Sequence, residues 1–200
     1  MKVAKRGSGV AKCVRDLYEN ETKKSALSKS NSLNYKYIDE IKELKKVINM
    51  GYIMNLRKFV GHEPLIGIGA TTLVFNDKKE LLLNLRSDTN TWEIPGGSME
   101  LFETIEDTAI RELKEEAGIL ANDLELVTVL SGKDYYFEYP NGDKMCTVIV
   151  LFKVTNYNGK IHINDDESKQ LKFFNINNLP NMESRAKNII DLIINNKIKI

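Results

Sequence analysis

Three glutamates lie close together in the short stretch from Arg111 to Glu116. On a helix, Glu112, Glu115 and Glu116 would fall within one arc of about 100°, because successive helical residues are about 100° apart. Carboxylates on one stripe repel each other, and the helix dipole disfavours anions near the C-terminal end. Carboxylate oxygens are also the ligands that Mg²⁺ and Mn²⁺ prefer. The spacing therefore indicates either a divalent-metal site or a solvated acidic face.

The helix that would carry these glutamates is predicted from Thr104 to Ala117, with Gly118 as its C-terminal cap. The arc beside the acidic stripe is apolar and is predicted to fix the helix to the core. It carries Ala109, Ile110, Leu113 and Ala117.

The rest of the chain is dominated by short strands. Residues 65–75 and 80–85 are rich in apolar and β-branched side chains and are separated by a turn at Asn76-Asp77, which predicts a hairpin. Pro95 and the glycine pair after it exclude a helix or a central strand over 92–97. Further strands are predicted over 124–130, 134–139, 145–154 and 171–174, with a turn at 140–143 and a closing helix over 183–194. Mixed strands with a central and a terminal helix predict an α+β fold with helices packed on sheet.

Composition is that of a globular protein. The chain has 200 residues, of which 42% are hydrophobic and 28% charged. No stretch approaches the roughly 18 consecutive apolar residues that a membrane helix needs, and no apolar run follows the basic start as in a secretory signal. Cys13 and Cys146 lie too far apart in sequence to make a disulfide framework or a zinc cluster. These features predict a cytoplasmic protein with no membrane partner.

Charge divides the chain into two parts. Residues 1–50 carry 12 Lys and Arg against 6 Asp and Glu, whereas the other 150 residues carry 17 against 22. Within the basic part, residues 37–50 show apolar positions at three- and four-residue steps, which predicts an amphipathic helix. That helix is expected to dock on the following domain or on a second copy of the chain, as in a homodimer. We therefore divide the chain into a basic extension, 1–50, and a domain, 51–200.

The constrained positions around the acidic stripe form a longer pattern. It runs from Gly97 through five residues to Glu103, then through seven residues to Arg111-Glu112-Leu113, and ends with Glu115-Glu116 and, one residue on, Gly118-Ile119. This pattern resembles the signature of the Nudix hydrolase family at every defined position. From about residue 56 to the final helix, the chain resembles a MutT-like bacterial Nudix domain. The resemblance implies an α/β/α sandwich with a mixed central sheet, here preceded by a short helical extension.

The resemblance also implies an activity and a set of site residues. Nudix hydrolases cleave the pyrophosphate linkage of nucleoside diphosphate derivatives with the help of divalent metal ions, so Mg²⁺ or Mn²⁺ is the expected cofactor. By position, Glu112, Glu115, Glu116 and the Gly96 carbonyl would be metal ligands. Arg111 would pair with a carboxylate and orient it. The remaining positions of the resembled signature would shape the loop and the helix; they are Gly97, Glu103 and Gly118.

The general base and the substrate contacts stay open at this point. The base can come from the stripe, as Glu112, or from the later acidic loop, as Glu167; the alternative for that loop is a solvated turn. Arg86 is a candidate contact to a phosphate. Tyr135 and Tyr136 are candidates to stack on a base, and packing against the sheet is the alternative for each.

Several functions agree with these residues. The substrate of a metal-dependent hydrolase could be ADP-ribose or a nucleotide sugar, a damaged nucleoside triphosphate, or the 5′ end of RNA. A different class is a non-catalytic module that senses a nucleotide, for which the basic extension would suit a nucleic-acid contact. Because every acidic position is intact, the sequence favours an enzyme with a small nucleotide substrate and no nucleic-acid partner. Turnover in Mg²⁺ distinguishes the two classes.

Overall fold

A computed structural model describes residues 51–165 and 167–200. The amphipathic helix predicted over 37–50, and the rest of the basic extension, lie outside the described residues. No helix in the described part is long and apolar enough to cross a membrane.

Three helices and eight strands make up the described part, together with a 3₁₀ turn at Lys133–Tyr135. In chain order they are α1 (Tyr52–Val60), β1 (Leu65–Val74), β2 (Leu81–Arg86), β3 (Trp92–Glu93), β4 (Gly96–Ser98), α2 (Ile105–Ala117), β5 (Leu120–Leu130), β6 (Tyr136–Glu138), β7 (Lys144–Asn158), β8 (Ser168–Phe174) and α3 (Ser184–Ile194).

The strands form two sheets. The larger sheet has the order β4-β1-β7-β5, with β6 also paired to β7, and the smaller has the order β3-β2-β8. The β1–β7 pair is parallel, whereas the other pairs in both sheets are antiparallel. This mixed pairing, with helices packed on the strands, confirms the predicted α+β fold.

The hairpin predicted over 65–85 is wrong. β1 pairs with β4 and β7, and β2 pairs with β3 and β8, so the two strands belong to different sheets and are joined by a single bridge, Phe75 to Leu81. The Asn76 side chain accepts hydrogen bonds from the backbone N–H groups of Lys78 and Glu80, which shapes the crossing turn. Two apolar strands joined by a turn have the same sequence pattern whether or not they pair with each other. The partner of a fully buried strand is instead set by distant residues.

The predicted strand over 134–139 is also only partly right. Its first residues form the 3₁₀ turn, and only Tyr136–Glu138 pair with β7. The hairpin between this short strand and β7, across residues 139–143, is confirmed. Its turn is closed by the N–H of Tyr139 donating to the carbonyl of Asp143 at 2.8 Å.

Helices α2 and α3 pack on separate apolar clusters. From α2, Leu113 and Ala117 are fully buried against residues that include Leu82 of β2. From α3, Ile189 and Ile190 are buried against residues that include Leu83, the next position on the same strand. Because successive side chains on a strand point to opposite faces, β2 lies between the two helices.

Candidate metal and catalytic site

Helix α2 is fixed at both ends by local hydrogen bonds. The side chain of Thr104 accepts from the N–H of Asp107, and the side chain of Asp107 accepts from the N–H of Thr104, which completes a capping box. Gly118 ends the helix in the left-handed conformation, at φ 68°. These two caps hold the acidic stripe in register with the neighbouring strand β4.

Glu116 is the most buried acid of the stripe, with 6% of its surface exposed. Its Oε2 accepts a hydrogen bond from the Gly96 N–H at 2.9 Å. Burial raises the pKa of Glu116 well above its usual range, and the nearby charges of Glu93 and Glu112 raise it further. No cation among the described residues is bonded to this carboxylate, so its charge is poorly compensated.

Glu112 lies directly against Gly97, the middle residue of β4. A Cβ added at Gly97 would overlap the Glu112 carboxylate, so the lack of a side chain at 97 is what admits it. Burial raises the pKa of Glu112 although Arg111 favours the charged form; Glu115 and Glu167 add to the rise. Glu112 is therefore a half-buried acid that pairs with Arg111 and lies against Gly97.

Arg111 connects the stripe to the loop before the helix. Its Nε donates to Glu103 Oε1 at 2.7 Å, and its Nη1 donates to Glu112 Oε1 at 2.8 Å and to Glu115 Oε2 at 3.0 Å. Its Nη2 donates to the Ser98 carbonyl at 3.0 Å. One guanidinium thus orients three carboxylates and the strand β4, because its planar fork of donors is rigid.

Glu103 lies outside the stripe and accepts hydrogen bonds from four donors, two of which are Arg111 Nε at 2.7 Å and Arg111 Nη2 at 3.1 Å. Besides Arg111, the N–H of Glu100 and the hydroxyl of Thr108 donate to it. The Arg111 hydrogen bond is the main reason that the pKa of Glu103 falls to about 2. The residue therefore holds the loop against the helix.

That contact predicts a pH-dependent contribution to stability. Because the pKa of Glu103 is lowered in the folded state, its contribution is complete above the ordinary pKa of 4.5 and is lost as pH falls towards about 2. We expect Glu103→Gln to lower the midpoint of urea unfolding at pH 7, and the difference from the unmutated protein to narrow as pH falls below 4.5. The exposed Glu106→Gln on the same helix is the control. A difference that stays constant from pH 7 to pH 3 would contradict the assignment.

The carboxylates of the acidic stripe are the right type of ligand for a divalent cation, but their side chains do not converge on one point in this structure. Among residues 51–165 and 167–200, no three His, Cys, Asp or Glu side chains converge closely enough to hold an ion. Glu112 and Glu115 both contact Arg111 Nη1, and the Glu115 side chain, 55% exposed, is free to turn. Hard oxygen donors with unbalanced buried charge are what Mg²⁺ and Mn²⁺ require. Glu112, Glu115 and Glu116 are therefore the residues that would hold such an ion.

A second group of charges surrounds Arg86 on the smaller sheet. The guanidinium donates twice to Asp88, at 2.7 and 2.8 Å, and once to Glu93, at 3.1 Å. Glu167 Oε2 lies 3.6 Å from Arg86 Nη2, and the Glu167 side chain is otherwise mostly exposed. Glu167 also lies near enough for its charge to act on Glu112. The structure thus brings Arg86 and Glu167, predicted separately, to the same side of the stripe.

Sequence reasoning assigned no role to Glu93. It is 8% exposed, and burial raises its pKa to about 7 although Arg86 favours the charged form. Asn84, paired with it across β2 and β3, is fully buried, and its Oδ1 has no hydrogen-bond partner among the described residues. A carboxylate between the apolar residues Trp92 and Ile94 was the sign in the sequence that Glu93 could be buried.

The two tyrosines occupy different surroundings. Tyr135 is 5% exposed and packs in the apolar cluster under α3, as the packing alternative expects. Tyr136 is 42% exposed on β6.

A groove of about 500 Å³ lies on the outer flank of α2, between Arg111, Glu115 and Asn164, and neither Glu112 nor Glu116 lines it.

Comparison with known proteins identifies a family and a fold. The sequence model of the NUDIX domain family matches residues 66–193 of this chain. An ADP-ribose pyrophosphatase from Methanocaldococcus jannaschii is 28% identical over 148 residues, which is 73% of this chain and 81% of that relative. An RNA pyrophosphohydrolase from a Marinomonas species is 34% identical over 67 residues, 34% of this chain and 39% of that relative's length.

Two solved structures resemble the described fold. The MutT NUDIX hydrolase from Burkholderia pseudomallei matches with a TM-score of 0.55 at 22% identity, over 64% of this chain and 98% of that one. The NUDIX domain of Shewanella oneidensis NrtR, solved with ADP ribose, matches with a TM-score of 0.52 at 17% identity, over 74% and 99%. At these identities the likeness shows the fold.

Proposed function

The chain belongs to the NUDIX family of hydrolases, and from that premise we propose that it hydrolyses the pyrophosphate linkage of a nucleoside diphosphate derivative with the help of Mg²⁺ or Mn²⁺. The observation that carries the proposal is the convergence of two acids on the glycine pair: the Glu112 carboxylate lies against Gly97, and Glu116 accepts the Gly96 N–H at 2.9 Å while buried with no cation bonded to it among the described residues. A buried carboxylate without a cation is costly, and a divalent ion removes that cost.

Each residue of the site has a proposed part in the reaction. Glu112, Glu115 and Glu116, with the Gly96 carbonyl, would hold the ion, which when bound neutralises phosphate charge and lowers the pKa of its water. Arg111 orients Glu112 and Glu115. Water then adds to one phosphorus of the linkage, and the bond from that phosphorus to the bridging oxygen breaks. Positioning and charge stabilisation suffice, because no covalent intermediate with the protein is required.

We assign the general base to Glu167, because it is exposed and its charge reaches Glu112. Glu112 itself is the weaker candidate, since its carboxylate is engaged by Arg111. We expect Glu167→Gln to lower kcat by about 10²-fold or more, the usual contribution of general-base catalysis, and to leave the unfolding midpoint unchanged. The measurement is kcat as a function of pH for both proteins. If the kcat of Glu167→Gln stays within threefold of the unmutated value, Glu112 of the stripe becomes the candidate general base.

ADP-ribose is the first substrate to test. The supporting likeness is the one to the Methanocaldococcus jannaschii ADP-ribose pyrophosphatase, which spans most of both chains. The alternative is the removal of damaged nucleoside triphosphates, for which the likeness to a putative 8-oxo-dGTP diphosphatase of Bacillus subtilis covers 25% of this chain. The shared part in that case is short, so it supports the common chemistry more than the substrate.

A substrate panel tests the proposal. It would contain ADP-ribose, nucleotide sugars, oxidised and normal nucleoside triphosphates and a 5′-triphosphate RNA, each with Mg²⁺ and with Mn²⁺, and products would be identified by mass. We expect one class to be hydrolysed at a phosphorus–oxygen bond and none without a divalent ion. Nucleotide binding without any turnover would instead support the sensor function.

The remaining proposals concern organisation. We propose that residues 51–200 form the catalytic domain, that residues 1–50 are an appended basic segment, and that the partner is a small nucleotide in the cytoplasm. The homodimer expected from the pattern over 37–50 stays a prediction, to be checked by the solution mass of the full chain and of a chain lacking residues 1–50.

A further inference from the structure

Glu93 is a buried acid outside the acidic stripe. It lies on β3 beside β2, and its Oε1 accepts from Arg86 Nη1 at 3.1 Å. The side chains of Arg86 and Glu93 are 18% and 11% exposed. The chain reaches the stripe three residues after Glu93, where the N–H of Gly96 donates to Glu116 Oε2 at 2.9 Å.

The rest of the Arg86 guanidinium contacts two acids, Asp88 and Glu167, that are more exposed than Glu93. Asp88 accepts from Nε and Nη2, and Glu167 lies close to Nη2. Three of the five guanidinium N–H groups are therefore used in hydrogen bonds to Asp88 and Glu93. The remaining two, one on Nη1 and one on Nη2, make no hydrogen bond to a described residue, and Glu167 Oε2 lies 3.6 Å from Nη2.

Stability gives little reason for an acid at position 93. A buried ion pair often contributes no more than an apolar pair of similar size, because desolvation offsets the attraction between the charges. Burial also raises the pKa of Glu93 to about 7, so the folded state disfavours its charge. What the pair does supply is a fixed direction for the Arg86 guanidinium.

We propose that Glu93 is a positioning residue of the hydrolytic site, whose carboxylate fixes the Arg86 guanidinium so that its remaining N–H groups bind a phosphate oxygen of the substrate. The inference rests on the proposed function and extends it, because it assigns to Glu93 a part in substrate binding rather than in metal binding. Asp88 and Glu93 together hold the planar guanidinium in one orientation. A fixed orientation favours bidentate contact between an arginine and a phosphate.

The test is steady-state kinetics of Glu93→Gln with the preferred panel substrate. Glutamine keeps the shape of glutamate but weakens the hydrogen bond to Arg86, so we expect KM to rise by about tenfold, as for loss of a charged hydrogen bond. We expect kcat and the half-saturating Mg²⁺ concentration to stay within about threefold, which is the range left when a group acts on binding alone. The exposed Glu125→Gln on β5 controls for the change of charge.

Two further variants separate positioning from a general structural effect. In an Arg86→Ala background, Glu93→Gln should raise KM no further, because residues that act through one contact are not additive. Arg86→Lys, tested alone, should raise KM as Glu93→Gln does, since an ammonium cannot hold Glu93 and Asp88 in a fork. This variant keeps the inference testable if Glu93→Gln fails to fold.

The outcomes separate this inference from the proposed function. An active unmutated protein whose KM is unchanged by Glu93→Gln or by Arg86→Lys would overturn the inference alone. So would a large shift in the half-saturating Mg²⁺ concentration, which would place Glu93 in the metal site, or fully additive effects with Arg86→Ala. An unmutated protein that hydrolyses no member of the panel would overturn the proposed function and this inference with it.

Discussion

Glu116→Gln is expected to remove nearly all turnover while the fold survives. Glutamine keeps an oxygen that accepts the Gly96 N–H, so the local geometry is retained. It deletes the charge of the most buried carboxylate in the stripe. If that carboxylate holds the catalytic ion, the loss is several kcal/mol of transition-state stabilisation, or about 10³-fold in rate.

The same substitution should leave stability unchanged or improve it. The pKa of Glu116 is raised because the folded state disfavours its charge, so a neutral residue avoids that cost. The measurements are kcat with saturating Mg²⁺ and the thermal midpoint at pH 7.5, with the exposed Glu106→Gln of the same helix as control. Normal rates in Mg²⁺ would remove Glu116 from the metal site. A large drop in the midpoint would show that its role is structural.

Gly97→Ala is expected to lower the activity strongly by displacing Glu112, although the substitution replaces no acidic residue. The new Cβ would overlap the Glu112 carboxylate, which must then move away from the stripe. A displacement of about 1 Å in an active site can cost about 10²-fold in rate. We therefore expect a loss of about that size in kcat/KM.

Stability should change little, since only the flexible end of Glu112 gives way and the backbone at 97 is not in the left-handed region. Gly67→Ala on β1 is the matched control, because its Cβ would meet the flexible end of Met145 instead. Both variants would be compared by turnover and by urea unfolding. Equal activity of the two variants would contradict the claim that Gly97 is needed for the placement of Glu112.

The sequence alone determined helix α2, with both of its ends and its apolar face. The period of Leu113 and Ala117, the capping residue Thr104 and the glycine at 118 are local features, and local features decide where a helix begins, ends and buries its apolar face. The order of acids along one helix also fixes which of them share a stripe. The family followed from the same local pattern, and the comparisons confirm it.

Only the tertiary structure decided which strands pair and which acids meet. β1 and β2 are neighbours in sequence, yet they lie in different sheets, because their partners β7 and β8 come from much later in the chain. The same distant pairing brings Glu167 beside Arg86, because β8 begins directly after Glu167 and pairs with β2. A sequence shows the types of these side chains, but their burial and their mutual distances depend on packing between segments that no local pattern specifies.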